Sequence, residues 1–385
     1  MSEALINQEI LLWAAQRADI PTDVLAERLH VQPEKIEIWL QGAERPTFRQ
    51  AQNLASVLHI PFGFLFLPRP PVDDLPIPDL RTVDGNPTKR LDTNFKDLLN
   101  DILFKRDWYK EFLHDHADVS LPFVGKFGLD ALADSVASDI RATLLGTAPL
   151  PPVKNSEEFL RFLMQRAEEV GIWVMRSGIV GSNTHRALSV EQFRGFAISD
   201  PMVPLVFING KDAKAAQLFT LVHELAHIWL GQSGVSNVMI GENDYGVHRR
   251  VEKLCNQIAA EFLVPRAAFA DRWNASLSFI SNVDSLASYF KVSRIVIARR
   301  ALDLEYVSQS AFGAFYQQEK AKWESASSGD GGNFYLNVPI RNGAHFTRSV
   351  LSQAMSGRML RRHAASLLNT QPAAVVKLHQ RQSAA

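Results

Sequence analysis

Residues 218–229 read Leu218-Phe219-Thr220-Leu221-Val222-His223-Glu224-Leu225-Ala226-His227-Ile228-Trp229. Leu218, Leu221, Val222, Leu225, Ile228 and Trp229 recur at helical spacing, which predicts a helix buried on its apolar faces. His223 and His227 sit one turn apart on that helix, so both imidazoles can reach a single zinc ion. Glu224 follows the first histidine and is placed to reach a water at the metal rather than the metal itself. A pattern this short also arises by chance on ordinary helices, so its context and a third ligand decide its weight. The context is a strand ending at Asn209-Gly210 and a long helix opening near Asp212.

The third ligand sets the subclass. A metzincin needs a glycine and a histidine after the motif where this chain has Leu230 and Ser233, so that pattern is absent. Further on, Val251-Glu252-Lys253-Leu254-Cys255-Asn256 opens a second helix ending at Val264-Pro265. A carboxylate from Glu252 completes a two-histidine, one-glutamate site with the fourth position left open. Asn256, one turn on, is expected to orient a ligating imidazole. Cys255 is expected to pack as a small apolar residue. His248 and Tyr245 are candidate donors to an oxyanion, against the plainer reading of two surface side chains.

Outward from this centre the pattern is mixed. Residues 158–170 are amphipathic, and 172–175, 195–198 and 205–208 are short runs of β-branched and aromatic residues. Helices are expected at about 248–263, 283–290 and 293–304, and residues 325–332 read as a flexible joint. The segment 333–385 reads as a strand-like start followed by helix. From Asp271 onward the chain is basic; scattered arginines usually mark a solvated face, and a nucleic-acid contact is the alternative.

Residues 1–70 read as four short helices. Ile10, Leu11 and Ala14 face inward on the first, Leu25 and Ala26 on the second, Ile36 and Trp39 on the third, and Ala51, Leu54 and Ala55 on the fourth. Two short helices, a tight turn and a third helix with a polar outer face form a helix-turn-helix layout. Gln32 and Lys35 are candidates to read base edges, and Arg45 and Arg49 to contact phosphate. Glu34 and Glu37 share that third helix, and its use in protein contacts or dimerisation is the competing reading. Prolines at 68, 70, 71, 76 and 78 then predict an extended connector, with helical spacing returning over 93–118 and 129–145.

Composition narrows the class further. Lys and Arg (41) balance Asp and Glu (41), so any nucleic-acid contact has to be local. One cysteine in 385 residues excludes a disulfide framework and a multi-thiolate zinc site. The opening residues lack the basic and small-residue pattern of a signal peptide, and no apolar run approaches the ~20 residues of a membrane span. A cytoplasmic protein without membrane partners is expected.

The two-helix motif resembles that of the ImmA/IrrE metallopeptidases, where H-E-x-x-H is followed by E-x-x-A-N-x-F-A-A-x-L-L-M-P. Here the second helix reads E-K-L-C-N-Q-I-A-A-E-F-L-V-P from Glu252 to Pro265, with Cys255 for the usual alanine and Ile258 for phenylalanine. Residues 286–293 resemble that family's following helical segment. Trp39 to Gly42 and Arg45-Pro46-Thr47 resemble an Xre/Cro-type domain, with Leu40 in place of glutamate. Periodicity, proline breaks and charge divide this α+β multidomain chain into a helix-turn-helix region at 1–70, a connector and helical linker at 71–150, a helix-and-strand domain at 151–310 and a small basic α/β region at 311–385; the resemblance implies that the first is an all-α Xre-type domain and the third a gluzincin-like peptidase. It further implies one Zn2+ per chain and cleavage of a transcriptional repressor or antitoxin-like protein, with operator DNA as a second partner and a homodimer to match two-fold operators. The alternatives are a DNA-binding regulator whose zinc is structural or sensory, and a protein-interaction scaffold without metal.

Overall fold

A computed structural model of the chain describes residues 3–71, 77–79, 82–83, 86–87, 91–115, 120–146, 152–236, 249–324 and 334–382. Its contacts divide it into two units, Met1–Pro76 with Arg90–Leu99, and Ile77–Lys89 with Asn100–Ala385.

The first unit holds α1 (Gln8–Ala18), α2 (Thr22–Leu29), α3 (Pro33–Gln41), α4 (Phe48–Val57) and a 3-10 helix, Phe62–Phe66. Local chemistry sets the ends. The Asn7 side chain accepts from the Glu9 N–H at the start of α1, and Thr47 and Gln50 form a reciprocal capping box on α4. Gly42 ends α3 in the left-handed region at φ 72°, where glycine has no Cβ penalty. Ile10, Leu11, Leu25, Ile36, Trp39, Leu54 and Leu65 make one buried core.

The two-residue strands β1 (Thr82–Val83) and β2 (Asn86–Pro87) pair antiparallel. Next comes α5 (Thr93–His114), whose first turns belong to the first unit and the remainder to the second. The second unit continues with α6 (Ala133–Leu145) and α7 (Ser156–Glu169), then β3 (Trp173–Ser177), β4 (Gly195–Ile198) and β5 (Leu205–Asn209). After α8 (Lys214–Trp229), β6 (Gly234–Ser236) completes a four-stranded sheet in the order β3-β5-β4-β6. β3 and β5 run parallel; β4 is antiparallel to both of its neighbours. On the outer strand the Val235 N–H donates to the Pro78 carbonyl at 3.0 Å, which partly covers that edge.

Every residue of β4 and β5 is buried, as is every residue of α8 from Gln217 to Trp229. This helix packs against the sheet on one side and against α6, α7 and α9 (Arg249–Leu263) on the others. Its apolar residues therefore run all round it, as expected of a helix enclosed on every face. α10 (Arg266–Ala270), α11 (Phe279–Phe290), α12 (Arg294–Asp303) and α13 (Gln309–Glu324) follow.

The chain ends in four helices: α14 (Phe334–Asn342), α15 (Ala344–Met355), α16 (Arg361–Leu367) and α17 (Pro372–Gln382). This corrects the strand-like start expected at 333 and the α/β character expected of the C-terminal region: among its described residues there is no strand. Aromatic and β-branched content suggested a strand, but packing selects the helix. Val338 and Asn342, one turn apart, are buried, and the Trp173 Nε1–H donates to the Asn342 carbonyl at 2.6 Å. Gly343 then turns the chain at φ 83°, where a Cβ would meet the Trp173 ring at 2.5 Å. The described residues contain no helix long and apolar enough to cross a membrane.

Candidate metal centre

Two helices and one short strand build the centre. α8 supplies His223, Glu224 and His227, all fully buried, and α9 supplies Glu252 in its first turn. His223 Nε2 lies 3.2 Å from Glu252 Oε2, His227 Nε2 lies 3.2 Å from Glu252 Oε1, and the two Nε2 atoms are 3.2 Å apart. Metal–ligand bonds of about 2.0–2.1 Å in a tetrahedron place their donor atoms about 3.3 Å apart. The three side chains have that spacing.

Asn256 fixes the meaning of these contacts. Its Oδ1 accepts from His223 Nδ1 at 3.0 Å. With the proton on Nδ1, a neutral imidazole turns a bare lone pair on Nε2 toward the carboxylate. Burial pushes the His223 imidazole below its ordinary pKa, against the pull of the Glu252 carboxylate, and so favours the neutral ring. Lone pair then faces lone pair, an arrangement that a shared cation relieves. The donor set suits a zinc ion.

Glu224 stands apart from this ring. Its one polar neighbour among the described residues is the Ser236 hydroxyl, which partly offsets the effect of burial without reaching full hydrogen-bond geometry. Burial, and then the Glu252 carboxylate, push its pKa well above the ordinary carboxylate value. Its seat depends on Gly195 at the start of β4: a Cβ there would lie 2.9 Å from Glu224 Oε1 and 2.6 Å from Thr220 Cγ2. Cys255 is buried, and its sulfur lies with the histidine ligand atoms in a group all within 4.8 Å of one another. Burial, followed by the carboxylates of Glu252 and Glu224, holds its thiol well above the usual pKa and therefore protonated.

The structure brings His223, His227, Glu252 and Asn256 together and places Glu224 beside them. Tyr245 and His248 lie outside the described residues. One neighbour escaped the sequence reading: the Ser236 hydroxyl, 3.3 Å from His227 Nε2 and 3.5 Å from Glu252 Oε1. A serine in a three-residue strand carries no spacing signal. In the first unit, Gln32, Arg45 and Arg49 are exposed, while Lys35 is half-buried and ion-paired with Glu44.

Residues 167–302 match the Peptidase M78 family, described as the IrrE N-terminal-like domain, and this span contains the whole centre. Residues 342–381 match a domain of unknown function, DUF8813. No curated protein matches the chain. The family match supports a metallopeptidase-type function for the second unit.

Proposed function

We propose that this chain is a zinc-dependent endopeptidase in which His223, His227 and Glu252 hold one metal ion and Glu224 moves the proton. The observation that carries this reading is the ring of three side chains, whose facing donor atoms lie 3.2 Å apart, with a fully buried carboxyl beside it. Zinc bound there supplies a Lewis acid and lowers the proton affinity of water.

The remaining chemistry belongs to the chain. Glu224 accepts a proton from the attacking water and returns it to the leaving amine nitrogen, so that the peptide bond yields a carboxylate and an amine. Asn256 holds the His223 tautomer and ring orientation. Burial of the histidines excludes bulk water and strengthens each charge interaction.

The substrate that the family resemblance favours is a transcriptional repressor or antitoxin-like protein of the cytoplasm. The first unit would hold the enzyme near that substrate by protein contact, the competing use of its third helix, where Glu34 and Glu37 are exposed, and so raise its effective concentration. A regulator with a purely structural zinc is the second reading. Glu224 disfavours it, because a fully buried carboxyl costs stability and a structural site has no use for one.

Newly formed protein N-termini in cells expressing wild type or Glu224→Gln test the proposal. A small set of cleavage sites is expected in wild type and none in the variant, at equal zinc content. Identical profiles would remove hydrolysis and leave the structural-zinc reading.

A further inference from the structure

The helical segment that ends the chain has a charge pattern unlike any other part of it. Residues 334–382 contain seven Lys and Arg and no Asp or Glu, where the chain's average composition gives about five acids. The seven do not serve one purpose. Arg348 faces the buried Glu168 carboxyl electrostatically. The Arg381 guanidinium lies 4.4 Å from the centre of the Tyr335 ring. Arg358, Arg361, Arg362 and Lys377 are exposed, and none forms an ion pair among the described residues.

The backbone that carries them is a helix-turn-helix in outline. α16 and α17 are joined by Leu368, Asn369, Thr370 and Gln371, with Asn369 left-handed at φ 50°. α15 packs on both helices. Ala364, Ala365 and Leu367 of α16 and Val375 and Leu378 of α17 face the interior. The opposite side shows Arg361, Arg362 and Ser366 on α16, and Ala373, Lys377, Gln380 and Arg381 on α17. Two helices joined by a four-residue turn carry cations and amides outward; the carboxylate at the turn, Asp101, accepts from the Asn369 amide and is ion-paired with Lys105, which leaves a cationic face suited to duplex DNA. α3 of the first unit offers the opposite balance, with Glu34 and Glu37 exposed and Lys35 paired to Glu44.

We infer that α16, α17 and the turn before α16 form a phosphate-binding surface for duplex DNA that supplies most of the chain's affinity for it. The inference goes beyond the peptidase reading and does not rest on the metal centre.

The test is fluorescence anisotropy of the full chain on a labelled random-sequence duplex of about 30 base pairs, long enough to span several phosphates on both strands. Four phosphate contacts predict an affinity loss of about 100-fold between about 50 and 200 mM salt. Arg361→Gln with Arg362→Gln should weaken binding at least tenfold and reduce the salt slope by about 2, while Arg45→Ala with Arg49→Ala leaves both nearly unchanged. Arg358→Gln, in an exposed turn, is a milder variant that should reduce the slope by about 1. Equal zinc content in every variant would separate this result from any effect on the metal centre. Loss of binding in the Arg45/Arg49 pair with retention in the Arg361/Arg362 pair would overturn the inference. So would no salt-dependent binding at about 50 mM, or a clear preference for single-stranded DNA or RNA of equal length.

Discussion

Glu168 and Glu224 are both buried carboxyls of the second unit, held in opposite ways. Glu168, near the end of α7, accepts the Ala344 N–H at the start of α15 through both oxygens, at 2.8 and 3.0 Å. Glu224, in the middle of α8, accepts from no backbone N–H among the described residues and has only the Ser236 hydroxyl as a polar neighbour. Burial raises the pKa of each, to about 7 for Glu168. A carboxyl that caps a helix is explained by the fold that it joins together. One that is buried beside two histidines with no backbone donor to hold it is accounted for by chemistry.

Substitutions at each site sharpen the contrast. Glu224→Gln removes the proton carrier without changing shape, so hydrolysis should fall by about 10²–10⁴-fold while zinc content and melting temperature hold. At the other site the expected effect is on stability and its pH dependence. The folded pKa of Glu168, about 7, lies above its ordinary 4.5, so its contribution is complete below pH 4.5 and lost as pH rises through about 7. That loss amounts to roughly 3 kcal/mol at most. Glu168→Gln keeps an acceptor for Ala344 and cannot ionise, so thermal melts from pH 5 to 8 should flatten relative to wild type. An unchanged pH dependence would show that Glu168 is ionised throughout.

Asn256→Ala gives the smallest effect of the three. It removes the hydrogen bond that sets the His223 tautomer, and zinc affinity measured by competition with a chelator should weaken by about 10–100-fold. Affinity equal to wild type would mean that α8 alone orients the ring.

What was legible in the sequence follows the range of the interactions. The residues proposed to build the metal site lie on two helices, where a spacing of three or four residues places side chains on one face, so the grouping of His223, His227, Glu252 and Asn256 was open to local reading. The four helices of residues 8–57 were equally visible from their inward residues. β6 has only three residues, too few to show alternation, and Ser236 was missed with it. α14 was misread because aromatic and β-branched residues suit strands, and only its packing against Trp173 selects the helix. The role of Glu168 depends on a partner 176 positions away, which no local pattern records.

Metal content by elemental analysis, for wild type and Glu252→Ala purified without added metal, tests the central claim most directly. About one zinc per chain in wild type and a small fraction of that in the variant is the predicted result, because two imidazoles alone leave the site one ligand short. A wild-type protein without zinc, even after reconstitution, would contradict the metal centre. Full retention of zinc in Glu252→Ala would contradict the role of Glu252.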